Sequence, residues 1–119
     1  MKKTVVIGAS PNAERYSYKA VVKLQEHQHF VVPVGIRDGE ISGMKILKGK
    51  PPIENVDTVT LYLGAKTQAE YYDYIFSLQP KRIIFNPGAE NEELKKLAEA
   101  KGITTVEACT LVMLSVGNY

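Results

Sequence analysis

The stretch that most constrains this chain is Thr4-Val5-Val6-Ile7 running directly into Gly8-Ala9-Ser10. A β-branched apolar run without alternation suits a strand buried on both faces of a parallel sheet. The small residues that end it allow a tight turn, and a helical pattern with Ala20, Val21 and Leu24 follows from Ser17, a residue suited to cap it. A strand that feeds a helix through such a turn brings backbone N–H groups and a positive helix end together, which is a site for phosphate.

The same alternation continues along the chain. The residue pattern predicts strands at Phe30–Val34, Thr58–Leu63, Arg82–Phe85 and Ile103–Glu107. Between them it predicts helices from Thr67 to Leu78, with Thr67-Gln68-Ala69-Glu70 as a capping box, and from Asn91 to Lys101, closed by Gly102. A last short helix spans Thr110–Val116. Pro33 has no N–H to give a ladder and is expected at its strand's end. The glycine- and proline-rich segment from 35 to 55 is irregular, with a short hairpin or edge strand around Met44–Leu47. Strands alternating with helices define one α/β domain over residues 1–119, a three-layer fold with a mainly parallel sheet of about five strands and right-handed crossovers.

In such sheets ligands lie at the carboxyl ends of the strands. Here those ends read Gly8-Ala9-Ser10, Pro33-Val34-Gly35, Leu63-Gly64 and Asn86-Pro87-Gly88, all small or turn-forming. Arg15 and Lys19 flank the first turn of the first helix, where the dipole disfavours cations, so a bound anion explains both. Ser10 and Ser17 offer hydroxyls to the same anion, and Tyr16 and Tyr18 offer rings to a ligand base. Gly8 to Ala13 has the spacing of a dinucleotide turn, with serine at its second glycine. No carboxylate ends the second strand, and Arg37 stands there instead, which disfavours NAD and suits a phosphorylated ribose.

Ile7-Gly8-Ala9-Ser10, Arg15-Tyr16-Ser17, Phe30-Val31-Val32-Pro33-Val34, Ile41-Ser42-Gly43, Val56-Asp57, Asn86-Pro87-Gly88-Ala89-Glu90-Asn91, Gly102-Ile103 and Cys109 occur in one order. That ordered set resembles the small bacterial CoA-binding domain proteins, Rossmann-type relatives of the CoA-binding domain of the succinyl-CoA synthetase α subunit. The resemblance implies CoA or an acyl-CoA across the strand ends. Its pyrophosphate would meet Gly8, Ala9, Ser10, Arg15, Ser17, Tyr18 and Lys19, and its adenosine end would meet Pro33, Val34, Gly35 and Arg37. The rest of the ligand would pass Leu63-Gly64 and Asn86-Pro87-Gly88, where this chain departs from the residues many members carry.

The resemblance implies no catalysis, since the enzyme relatives use a phosphorylated histidine on a further domain. The two histidines of this chain, His27 and His29, fall at the far end of the first helix and read as solvated, and no acid or cysteine joins them as metal ligands. Cys109 reads as a small buried residue at the start of the last helix. Two alternatives remain open: a small NADP- or other nucleotide-dependent enzyme, and a protein-binding adaptor with a vestigial cleft. The adaptor would use Tyr71 and Tyr74 as an exposed patch for self-association or a partner, with Tyr72, Ile75 and Phe76 in the core. A formal charge of +2, one cysteine and the lack of a long apolar run point to a cytoplasmic domain with no nucleic-acid or membrane partner.

Overall fold

β1 (Thr4–Ile7) lies inside the sheet, and every residue of it is buried. It pairs in parallel with β2 (Val31–Val34) on one side and β5 (Thr58–Leu61) on the other. The sheet continues through β6 (Arg82–Phe85) to β7 (Thr104–Glu107), again in parallel, giving the order β2-β1-β5-β6-β7. These assignments come from a computed structural model, which describes residues 2–119.

The alternation of side chains assigns each strand two jobs. From β1, Val5 and Ile7 join Val59, Leu61, Ile83 and Phe85 on one face; Val6 joins Val21 and Leu24 on the other. The first face is covered by α3 (Tyr72–Ser77) and α4 (Glu92–Ala100) through Ile75, Leu94 and Ala98. The second is covered by α1 (Tyr16–Glu26) and α5 (Thr110–Val116), with Leu114 of α5 in the same cluster. Each fully buried Ile or Leu contributes roughly 1.5–3 kcal/mol relative to exposure, so both layers are strongly held.

The irregular segment does form a hairpin, β3 (Glu40–Ile41) with β4 (Met44–Lys45), turning at Ser42-Gly43. Ile41 and Ile46 anchor it against α1, each almost completely buried. Just beyond, Leu47 makes a single parallel bridge to Val34. The Leu47 N–H donates to the Pro33 carbonyl at 2.9 Å, and the Gly35 N–H donates to the Leu47 carbonyl at 3.0 Å. Leu47 thus stands where a sixth strand would lie, outside β2. Pro33 is not at the end of β2 but one residue inside it, paired with Val6. It is tolerated because its nitrogen points to the outer edge, away from the β1 ladder.

Two helix starts differ from expectation. α1 begins after Arg15, so Ser17 is a buried first-turn residue rather than the cap. The second helical region starts at Ala65 after Gly64, whose carbonyl accepts from the Thr67 and Gln68 N–H groups, and no capping box forms. That region is α2 (Ala65–Gln68), a 3₁₀ turn (Ala69–Tyr71) and then α3.

Candidate functional site

The strand order reverses direction between β1 and β5, and a cleft of about 690 Å³ opens over their carboxyl ends. Its floor is Gly8, Ala9 and Ser10 just after β1 and Tyr62 and Leu63 just after β5. Glu14 through Ser17 form the α1 side, Gly35 to Arg37 the β2 side, and Thr67, Glu70 and Tyr71 the far wall.

Close backbone approach shapes the floor. Gly8 adopts φ +98°, and a Cβ there would stand 2.9 Å from the Tyr62 carbonyl oxygen. A Cβ on Gly35 would stand 2.2 Å from the carbonyl oxygen of Ala9. Both positions require glycine. The Gly8 and Ala9 N–H groups donate to the Val34 carbonyl, both at 2.9 Å, so they stitch β1 to β2 instead of pointing into the cleft.

The donors left for an anion are in α1. Of the four N–H groups at a helix start that have no partner within it, that of Arg15 donates to the Asn12 carbonyl at 3.0 Å, leaving three. Arg15, the N-cap, adopts extended backbone (φ −75°, ψ 142°) and makes no side-chain cap, and no acid occupies the first turn. The loop before it is ordered by its own side chains. Ser10 Oγ accepts from the Asn12 N–H at 3.1 Å, and Asn12 Oδ1 accepts from the Glu14 N–H at 2.9 Å. The positive end of α1 therefore faces the cleft beside Arg15, Ser17 and the Ser10 hydroxyl, with Arg37 on the opposite lip.

Of the ligand residues singled out from the sequence, the cleft brings together Gly8, Ala9, Ser10, Arg15, Tyr16, Ser17, Gly35, Arg37 and Leu63. It does not bring in the others. Tyr18 and Lys19 line a separate groove between α1 and α5, and Lys19 Nζ lies 5.3 Å from the Tyr16 ring centroid. Pro33 and Val34 are buried in the sheet. Gly64 caps α2, and Pro87 and Gly88 are exposed outside the cleft. Asn86 is a structural strut: its Nδ2 donates to Thr60 Oγ1 at 2.6 Å and to the Leu61 carbonyl at 2.9 Å, and its Oδ1 accepts from the Thr110 N–H at 2.8 Å.

Sequence reasoning missed the far wall. Gln68, fully buried, donates to the Leu63 and Ala89 carbonyls, both at 2.7 Å, and so fixes the loop that carries Leu63. An amide one helical turn after the strand-end Gly64 was the available signal. The tyrosines are also reversed: Tyr71 and Tyr74 are buried, while Tyr72 and Phe76 are only partly buried. The Tyr74 hydroxyl donates to the Pro51 carbonyl at 2.6 Å, and burial, with Tyr71 beside it, pushes its pKa up to about 12. The surface on which the adaptor reading rested is thus inside the protein. Tyr62 is held protonated well above the ordinary phenol range, first by burial and then by Cys109 nearby.

His29 is engaged rather than freely solvated. Its Nδ1 accepts from the Lys2 N–H at 2.9 Å, and its ring lies 4.9 Å from that of Tyr119. No group of three His, Cys, Asp or Glu with metal-binding geometry occurs among the described residues, and no helix there is long and apolar enough to cross a membrane.

The parallel sheet, its helical layers and the open cleft at the switch point define a Rossmann-like α/β domain. The chain belongs to the CoA binding domain family, whose pattern matches residues 2–115. Solved structures agree. A crystal structure of an uncharacterized protein is 51% identical, with TM-score 0.98, over 100% of this chain and 98% of its own. A hypothetical protein from Pyrococcus horikoshii OT3 is 27% identical with TM-score 0.85, covering 97% of this chain and 82% of that one. A Thermus thermophilus protein at 20% identity and TM-score 0.81 shares the fold over 99% of this chain and 91% of its own. A search of curated proteins found no match. Membership supports a CoA-binding role in general.

Proposed function

We propose that this chain binds CoA or an acyl-CoA without transforming it, with the pyrophosphate at the start of α1. The observation that carries the reading is the uncapped α1 terminus beside Arg15, opening on the cleft at the switch point. Such a terminus offers about half a positive charge and several aligned N–H donors. The Ser10 and Ser17 hydroxyls add donors, and Arg37 meets the ribose phosphate. The pantetheine arm runs toward Leu63 and Thr67 along the β5 side. Family membership supplies the ligand class, and the absence of an acid at the end of β2 argues against NAD.

A thermal-shift titration with CoA, dephospho-CoA, NAD and NADP tests this. A ligand at ~100 times its dissociation constant stabilises by about 2.7 kcal/mol, a shift of several degrees for a domain this size. The expected result is stabilisation by CoA that exceeds that by dephospho-CoA and is sharply reduced in Arg15→Ala. Equal response to all four ligands, or to none, overturns it.

A further inference from the structure

The five-stranded sheet has two edges, and the chain finishes only one of them. At the β2 edge, Pro33 has no N–H to offer, and Leu47 bonds from outside to Pro33 and Gly35. β7, at the other edge, is a strand of four residues with no strand beyond it. It reads Thr-Thr-Val-Glu, without the proline or lysine that blunts an edge. The Thr104 and Ala108 N–H groups donate inward to the Lys81 and Phe85 carbonyls, each at 3.1 Å. Strand groups alternate, so Val106 also points inward, and Thr105 and Glu107 turn their N–H and C=O groups outward. Those outward groups have no hydrogen-bond partner among the described residues.

The side chains beside this edge differ by face. On the α4 side, Thr105 Oγ1 donates to Glu99 Oε2 at 3.0 Å, and Glu107 Oε1 lies 3.7 Å from Lys95 Nζ. α4 thus sets a carboxylate beside one end of β7 and a cation beside the other. On the α5 side, Val106 is half-buried. α5 turns Thr110, Met113 and Leu114 to the sheet and Leu111 to α1. Helical spacing then puts Val112 and Val116, 57% and 66% exposed, on the side away from α1 and toward the β7 edge.

We propose that β7 is the interface for a second copy of this chain, paired antiparallel about a two-fold axis at Val106. In that register Thr105 of each copy faces Glu107 of the other, and the two exchange N–H and C=O, so every outward group of both strands is satisfied. Val106 meets Val106 of the second copy in a non-hydrogen-bonded pair, where side chains approach most closely. The same axis brings Lys95, beside Glu107, toward Glu99 of the second copy, which stands beside Thr105. One patch is therefore complementary to itself, as a two-fold interface requires. A slip that set Thr105 against Thr105 would put Glu107 opposite Ile103, whose N–H already donates to the Ala98 carbonyl at 3.0 Å. None of these residues lines the cleft, so the pairing leaves ligand binding free.

The pairing is short and belongs with small, weak interfaces, so dimer should grow in between about 10 μM and about 1 mM. Sedimentation of the whole chain across that range reads the stoichiometry, and amide hydrogen exchange by NMR reads the place. Exchange at Thr105 and Glu107 should slow about tenfold or more as dimer forms, while exposed amides elsewhere keep their rates. Thr105→Pro removes an outward N–H without touching the β6 ladder and should give a folded monomer. Lys95→Glu should weaken the dimer about 5-fold or more, because the symmetry counts the change twice. Adding Glu99→Lys to it should restore the dimer. A folded Thr105→Pro chain that still dimerises, or a dimer whose Thr105 and Glu107 amides exchange as in the monomer, would place the contact elsewhere and overturn the proposal. Should Thr105→Pro not fold, the charge pair decides: a dimer unmoved by Lys95→Glu, or not restored by the double exchange, would overturn it. A wild-type chain that stays monomeric throughout, with both amides exchanging freely, would overturn it too and leave the edge to a strand of another protein.

Discussion

α1 and α4 both start just beyond a parallel strand at the same edge of the sheet, yet their first turns are finished in opposite ways. At α4, Asn91 Oδ1 accepts from the Leu94 N–H at 3.1 Å, and Glu92 and Glu93 put carboxylates at the positive end. Asn91 Nδ2 then donates to Gln68 Oε1 and to the Tyr72 hydroxyl, each at 2.9 Å, so the end is sealed by the protein's own groups. At α1 there is no side-chain cap and no acid in the first turn, and the residue at the cap is a cation. The same backbone need is met internally in one place and left for a ligand in the other. This difference, more than the Gly-Ala-Ser turn itself, marks where an anion belongs.

The largest effect should come from breaking the sealed end. Gln68→Leu would orphan the Leu63 and Ala89 carbonyls and one N–H of the Asn91 amide, at a side chain that is itself fully buried. Each unsatisfied buried group costs about 1–3 kcal/mol, so a loss of about 3 kcal/mol is expected in urea unfolding. A loss below about 1 kcal/mol would mean that the network is not what holds the far wall. Next in size, Asn91→Ala removes the cap and should cost about 1–2 kcal/mol. No anion in solution should restore it, because Glu92 and Glu93 still repel one.

The open end sharpens the comparison by a change of opposite sign. Arg15 has the extended backbone of an N-cap, so Arg15→Asp needs no rearrangement to cap α1. The variant should gain about 0.5–1 kcal/mol as free protein, from the cap and the dipole together. It should also lose CoA binding, since the carboxylate takes the N–H groups and repels phosphate. A differential scan with and without CoA reads both. If Arg15→Asp destabilised the free protein, the α1 end would not be an unmet need and the contrast with α4 would fail.

How much of this was legible follows from what each signal reports. Strand and helix positions came from apolar periodicity, and that is a property of local runs such as Thr4–Ile7 and Arg82–Phe85. The faces of the 65–78 region were misread because a 3₁₀ turn at Ala69–Tyr71 shifts the helical phase, which turns Tyr71 and Tyr74 inward and Tyr72 outward. The turn chemistry misled in the same way at both helix starts. Ser17 and Thr67 look like caps in isolation, but Arg15 and Gly64 hold those places because both preceding loops are shorter than the pattern suggests. Asn86 looked like a ligand residue because strand-end polar groups often are, and only the three-way packing of Thr60, Leu61 and Thr110 around it reveals a strut.

The smallest effect concerns the far end of α1, which, unlike its start, is closed. His29 follows the helix and accepts the Lys2 N–H through Nδ1, so it must be neutral there. Burial, followed by the positive charges of His27, Lys2 and Arg82, holds its pKa below the ordinary 6.5. The native state therefore binds this proton less readily than the unfolded chain. The stability this site contributes is complete above pH 6.5 and is lost as pH falls below 6.5 through the lower folded value. His29→Asn keeps an acceptor for Lys2 but cannot titrate, so its melting temperature should fall less than the parent's between pH 7 and pH 5. The difference should be small, because the site is only partly buried. An identical decline in parent and variant would place the acid sensitivity elsewhere, and the closed end of α1 would then owe nothing to a neutral imidazole.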